Sequence, residues 1–187
     1  MAKLYFNYGV MGAGKSLFLL AKAHNFLERG IPVKIVKPSI DTRDQGVIWS
    51  RALGGGGLPC LTILPSTQLR EIDWDDIKWI LVDEAQFLTP SQVDDLAWIV
   101  DMKEINVICY GLRTDFQTHL FPGSARLFEV ADSFEEMKST CECGEKASIN
   151  ARIDEEGKIV TEGEQVSCGL SYVPLCRKCY EKRKEGN

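Results

Sequence analysis

Residues Gly9-Val10-Met11-Gly12-Ala13-Gly14-Lys15-Ser16 satisfy G-x-x-x-x-G-K-[ST], the pattern of a loop that holds a nucleoside triphosphate. Gly9, Gly12 and Gly14 let successive N–H groups converge on phosphate oxygens, Lys15 brings a cation to the β and γ phosphates, and the Ser16 hydroxyl can ligate Mg²⁺. Such a loop needs an acidic partner at the C-terminal end of a later strand, where the ligand crevices of open α/β sheets lie. The run Trp79-Ile80-Leu81-Val82-Asp83-Glu84 supplies it. Asp83 is expected to hold Mg²⁺, directly or through a water, and Glu84, one residue further and pointing elsewhere, is left to act on a nucleophile.

A second chemistry lies near the C-terminus, where Cys141-Glu142-Cys143 and Cys176-Arg177-Lys178-Cys179 form two thiolate pairs with a long excursion between them. Four thiolates suit a tetrahedral structural Zn²⁺ that closes its own site and leaves no position for catalysis. Its expected role is to staple a lobe too small to build a core. Cys168 is a spare that can replace one ligand, and Cys60 and Cys109 sit in apolar runs and read as buried hydrophobes. The seven cysteines fit a reducing cytosol and a metal site better than a disulfide framework.

These groups need a scaffold. Residues 3–8 read as a strand. After Lys15 the period changes, with Leu17, Leu20, Ala21, His24 and Leu27 at helical spacing up to Gly30. His24 on that stripe reads as a half-buried structural histidine. Residues 33–37 read as a second strand, followed by a long irregular region to Cys60 whose glycine run, Gly54 to Gly57, predicts mobility without a ligand. Residues 60–64 read as another short strand, residues 78–82 and 105–110 are compact apolar runs of the kind buried in a parallel sheet, and Pro90-Ser91 opens a crossover helix through Val93, Leu96, Ala97 and Val100. The expected fold is α/β: an open, mainly parallel P-loop NTPase sheet of RecA-like type over residues 1–138. A small zinc-ribbon-like lobe over residues 139–187, with weak strand patterns at 147–153 and 158–160, completes it.

Composition narrows the partners. A net charge of −5 over 187 residues gives no footprint for gripping nucleic-acid backbone, so a small molecule is the expected ligand and nucleic acid is not. The N-terminus has no signal-peptide anatomy, and no window reaches the roughly 18 to 20 apolar residues of a membrane span. A cytoplasmic protein without a membrane partner is expected.

The ordered set of GVMGAGKS at 9–16, DTR at 41–43, VDEAQF at 82–87, GLRTDF at 111–116 and SYVPLCRKCY at 171–180 resembles the type II thymidine kinases, the small zinc-bearing family, over nearly the whole chain. The resemblance implies ATP-dependent transfer of the γ-phosphoryl group to the 5′-hydroxyl of thymidine. It implies that Glu84 is the general base, that Lys15 and Ser16 serve the triphosphate and metal, and that Asp41 and Arg43 lie near metal and phosphates, with Arg43 offsetting developing charge. It further implies a base pocket walled by Met11, Phe87, Leu112, Phe116 and Phe121. The resemblance also implies a lasso loop, running roughly from Ala147 to Tyr172, that would cover this pocket, with backbone groups around Val166 reading the base edge. Many members carry Cys-x-x-Cys where this chain has Cys141-Glu142-Cys143, and the lasso is about two residues shorter before Tyr172. Members of the family usually assemble as homotetramers.

Other readings are weaker. Nucleotide kinases with a four-cysteine lid carry it mid-chain, a helicase-like motor needs two lobes and more chain, and a GTPase wants NKxD, which is absent. A nucleotide switch bearing a zinc module for nucleic acid or protein draws only on the basic tail CRKCYEKRKEGN, a charge pattern usual for a solvated helix end.

Overall fold

A computed structural model describes residues 1–39, 46–50, 57–165 and 171–186. The chain starts with β1 (Leu4–Gly9), the P-loop and α1 (Lys15–Glu28), then β2 (Val33–Pro38). Three short strands follow, β3 (Val47–Trp49), β4 (Gly57–Pro59) and β5 (Leu61–Ile63). β6 (Trp79–Val82), α2 (Pro90–Lys103), β7 (Asn106–Leu112), α3 (Pro122–Val130) and β8 (Ser133–Met137) complete the main body. Six of the strands form one sheet in the order β5-β2-β6-β7-β1-β8, with every neighbouring pair parallel. β7 therefore separates the P-loop strand from the strand that leads to Asp83, which is the RecA-like arrangement of a P-loop sheet.

Alternation within the strands sends neighbouring residues to opposite layers. Ile80, Val82, Val107 and Cys109 face α2 and α3 through Val93, Leu96, Ile99 and Leu127. Leu81, Ile108 and Tyr110 face α1 through Leu19, Leu20 and Ala23. α2 starts where the sequence chemistry demands: Pro90 occupies its first turn, and Thr89 and Gln92 form a reciprocal capping box. Gln92 also donates from Nε2 to the carbonyls of Leu64 and Thr67, tying the helix start to the loop after β5.

Several expectations change. The buried stripe of α1 is Lys15, Leu19, Leu20 and Ala23, so the helix is rotated from the stripe read in sequence. His24 is exposed and faces Glu28 at 3.2 Å, one turn on, where it is solvated rather than half-buried. Leu27 is 49% exposed. The region from Pro38 to Cys60 is not wholly irregular, since β3 and β4 form an antiparallel pair. There Ile48 and Leu58 cover α1. Gly54 to Gly56 lie outside the described residues. Cys109 is fully buried as expected, whereas Cys60 is only half-buried. Residues 158–160 make an isolated bridge from Ile159 to Ile153 and no strand.

The C-terminal part holds β9 (Ser139–Thr140) paired with β10 (Lys146–Ala147), and β11 (Ile149–Ile153) paired antiparallel with β12 (Ser171–Leu175), followed by α4 (Arg177–Lys184). Its core is small: Ala147, Ile149, Ala151, Leu175 and Tyr180 pack with Cys141, Cys176 and the P-loop residue Val10. Among the described residues, no helix is long and apolar enough to cross a membrane.

Candidate functional site

All six strands of the main sheet point the same way, so the segments that follow β1, β6 and β7 emerge along one edge. The P-loop follows β1 and turns into α1 through Gly14, whose φ of 80° is a left-handed conformation that favours glycine. Lys15 is buried, and its Nζ donates to the Val10 carbonyl at 2.8 Å, so the ammonium is held inside the loop that would carry the phosphates. Burial lowers its pKa, while the charges of Glu84 and Asp83 act in the opposite sense. Across the intervening strand, Ser16 Oγ lies 3.0 and 3.3 Å from the two carboxylate oxygens of Asp83. One hydroxyl and one carboxylate at this spacing form the hard-oxygen donor set that Mg²⁺ prefers, so the residues fit the metal.

Asp83 is 4% exposed. Burial and then the neighbouring Glu84 charge push its pKa up to about 6, with the Ser16 hydroxyl, the Glu84 N–H and the Lys37 cation pulling it back. In the folded protein the carboxyl thus keeps a proton between about pH 4 and 6 that the unfolded chain has released, so stability falls as pH rises through that window. Asp83→Asn removes this cost. The metal-free variant is expected to melt above the parent at about pH 7.5 but not at about pH 4, while losing Mg²⁺-supported turnover. Equal melting temperatures at both pH values would contradict the electrostatic account.

Glu84 follows in a left-handed backbone conformation (φ 52°, ψ 39°), which is costly for a non-glycine residue. Gln86, which is almost fully buried, donates from Nε2 to Glu84 Oε2 at 2.5 Å and accepts the Leu112 N–H at Oε1 over 2.9 Å. The second bond fixes which end of the amide faces Glu84. Gly111 makes room for this approach: a Cβ there would stand 3.0 Å from both Gln86 N and Oε1. Gln86 was not among the residues expected from sequence. Its signal was faint, a single uncharged polar residue inside an apolar turn.

The expected base-wall residues fall into separate groups. Phe87 and Phe121 meet edge to face at 5.6 Å. Leu112, whose N–H meets Gln86, has its carbonyl bonded by Ser124 Oγ at 2.6 Å. Met11 is 38% exposed at the tip of the P-loop, and its N–H donates to Asn150 Oδ1 of β11 at 2.7 Å. Asn150 Nδ2 in turn bonds the Thr114 carbonyl, so a buried amide links the P-loop, the segment after β7 and the C-terminal part. Phe116 is buried with the Arg152 guanidinium 3.6 Å from its ring centre, and the Tyr172 hydroxyl accepts from the same guanidinium, whose carbon lies 5.3 Å from the Tyr172 ring centre. Asn150 and Arg152 also escaped sequence reading, although the alternation Ile-Asn-Ala-Arg-Ile places both on one face of a strand. Asp41, Arg43, Val166 and Cys168 lie outside the described residues.

The four cysteines come together. Sγ atoms of Cys141, Cys143, Cys176 and Cys179 all lie within 4.8 Å of one another. A tetrahedron with Zn–S bonds of about 2.3 Å requires S···S separations near 3.8 Å, so the cluster fits zinc. The short Cys-x-Cys arm closes through Gly144, whose N–H returns to the Cys141 carbonyl. On the other arm, Cys176 Sγ caps α4 by accepting the Cys179 N–H. Burial opposes ionisation of Cys141, but N–H groups of Cys143 and Cys176 and the thiols of Cys143 and Cys179 outweigh it and bring the thiol to about 7.

Residues 2–180 match the family described as thymidine kinase. A thymidine kinase from Legionella pneumophila (strain Lens) is 46% identical over the whole of this chain and 92% of its own length. One from Ruegeria pomeroyi is 45% identical over 95% of this chain and 93% of its own, and one from Yersinia pestis 43% identical over 97% and 96%. With a P-loop, a strand-end carboxylate pair and a four-cysteine cluster in the places where the sequence motifs put them, the chain belongs to the thymidine kinase family.

Proposed function

We propose that this chain transfers the γ-phosphoryl group of ATP to the 5′-hydroxyl of thymidine, giving thymidine monophosphate. The observation that carries the reading is the contact of Ser16 with Asp83, which joins the P-loop to the carboxylate strand and leaves Glu84, oriented by Gln86, as the base beside it. N–H groups of residues 9–16 and Lys15 cradle the triphosphate; Lys15 exchanges its bond to the Val10 carbonyl for phosphate oxygens. Ser16 and Asp83 hold Mg²⁺, which supplies charge neutralisation for the β and γ phosphates. Glu84, held by Gln86, accepts the proton of the 5′-hydroxyl as that oxygen attacks phosphorus and the bond to the β-phosphate oxygen breaks. Positioning and charge stabilisation do most of the remaining work in a loose transition state. Asp41 and Arg43 serve the same phosphates, with Arg43 offsetting charge as it develops.

Met11, Phe87, Leu112, Phe116 and Phe121 wall the base, Tyr172 flanks it, and backbone around Val166 reads its edge. Residues 1–138 carry the phosphate chemistry, and residues 139–187 carry the structural Zn²⁺ and the cover over the base. The protein acts in the cytosol as a homotetramer and takes neither nucleic acid nor a membrane as partner. Incubating the purified chain with MgATP and each natural deoxynucleoside in turn tests the reading. Thymidine is expected to be the preferred acceptor, and phosphorylation of another deoxynucleoside in its place would contradict the assignment.

A further inference from the structure

We propose that Arg152 is the positioning residue of the base wall, a buried guanidinium that fixes where Phe116 and Tyr172 stand and so sets the affinity for thymidine without taking part in phosphoryl transfer. The proposal rests on the reading of the site given above.

Among the described residues, Arg152 heads the fully buried side chains by size, with 1% of its surface exposed. Burying a cation is costly unless it is paired, and a well-packed apolar side chain would serve stability at least as well. Yet among the described residues no carboxylate lies within ion-pair distance of it. Its compensation is wholly directional. Nε and Nη2 donate to the Tyr172 hydroxyl at 3.0 and 2.7 Å, and Nη2 also donates to the carbonyls of Glu164 at 2.7 Å and Gln165 at 3.3 Å. The guanidinium plane lies 3.6 Å from the Phe116 ring centre and 5.3 Å from that of Tyr172. A planar fork stacked on aromatic faces is a task for arginine and not for lysine.

The strand register makes this arrangement a ruler. Arg152 on β11 stands opposite Tyr172 on β12. Two residues earlier on the same strand face, Asn150 holds the Met11 N–H of the P-loop. One strand face therefore bonds the phosphate loop at one residue and the aromatic wall at the next, which fixes the acceptor wall relative to the phosphates. The neighbouring stretch has independent ties: Gln165 Nε2 donates to Asp115 Oδ2 at 3.0 Å, and Gln117 Nε2 donates to the Thr161 carbonyl at 2.9 Å. Loss of the guanidinium should therefore loosen the rings without releasing the segment.

Steady-state kinetics of the full zinc-loaded chain test this with Arg152→Met, Arg152→Lys and Tyr172→Phe. Arg152→Met is expected to raise KM for thymidine about 10-fold, with KM for ATP and kcat within about twofold of the parent. Arg152→Lys should recover part of the loss. Tyr172→Phe should shift KM in the same direction, and the double variant should be no worse than Arg152→Met alone, because the two changes remove the same bonds. Unchanged thymidine KM in Arg152→Met and Tyr172→Phe, or an equal rise in both KM values, overturns the proposal. If Arg152→Met does not fold, an unchanged KM in Tyr172→Phe overturns it by itself. A parent chain that turns over another deoxynucleoside and not thymidine would instead sink the functional reading.

Discussion

Glu84→Gln is expected to bind ATP and thymidine as the parent does and to lose turnover by about 10² to 10⁴. The substitution is isosteric, so the left-handed backbone at this residue and the three-residue turn after it remain available. What changes is basicity: a neutral amide cannot take the proton of the attacking hydroxyl. The Gln86 contact is the sensitive point, since its Nε2 now faces either an amide oxygen or an amide nitrogen. The bond survives if the new amide turns its oxygen toward Gln86, and Gln86 itself stays locked by the Leu112 N–H. Pre-steady-state measurements separate the effects, with unchanged dissociation constants for both ligands and a slowed chemical step. Turnover equal to the parent would remove Glu84 from the base role. A matching loss of ligand affinity would make it a binding residue instead.

Removal of zinc is expected to have the second-largest effect. Cys176→Ser should abolish a single bound Zn²⁺ per chain, lower the melting temperature and remove most activity. Structural Cys₄ zinc in small domains contributes apparent binding energies of about 10–16 kcal/mol, as much as the whole stability of an ordinary domain. The apolar core of the C-terminal part has too few residues to replace that contribution. Cys176 has two roles, because its sulfur also caps α4. The damage should not stay local. Val10 belongs to the same cluster as Ala151 and Leu175, and Asn150 holds the Met11 N–H, so a loosened β11 releases the P-loop. Elemental analysis, thermal melts and ATP affinity check these points together. Full ATP affinity in a zinc-free variant would show that the P-loop stands without the lobe.

How far the sequence could be read depended on what kind of physics each element used. β1, β2, β6, β7 and α2 were legible because they are long apolar runs or carry start signals such as Thr89-Pro90. The P-loop, Asp83 and the four cysteines were legible because their chemistry demands particular residue types at particular spacings. β8 and α3 were not seen: Ser-Phe-Glu-Glu-Met has no clean alternation, being an edge strand with mostly exposed residues, and α3 is a nine-residue helix opened by Pro122-Gly123. The stripe of α1 was misplaced because Lys15, a charged residue, belongs to its buried face, drawn there by the loop it serves. Asn150 and Arg152 stayed hidden because each acts by bonding groups distant in sequence, and Gln86 because the Leu112 N–H that locks its amide lies on β7. A glutamine that orients a carboxylate reads locally like any buried polar residue.

The reading that unites these parts is phosphoryl transfer to one particular oxygen of one particular nucleoside. Phosphorus NMR of the product formed from MgATP and thymidine tests it most directly, because coupling to the sugar protons identifies the esterified oxygen. The account predicts a thymidine 5′-monophosphate ester formed with one equivalent of ADP, and no product from 5′-deoxythymidine. A phosphate ester on the 3′-oxygen, or ADP released at the same rate without thymidine, would contradict it.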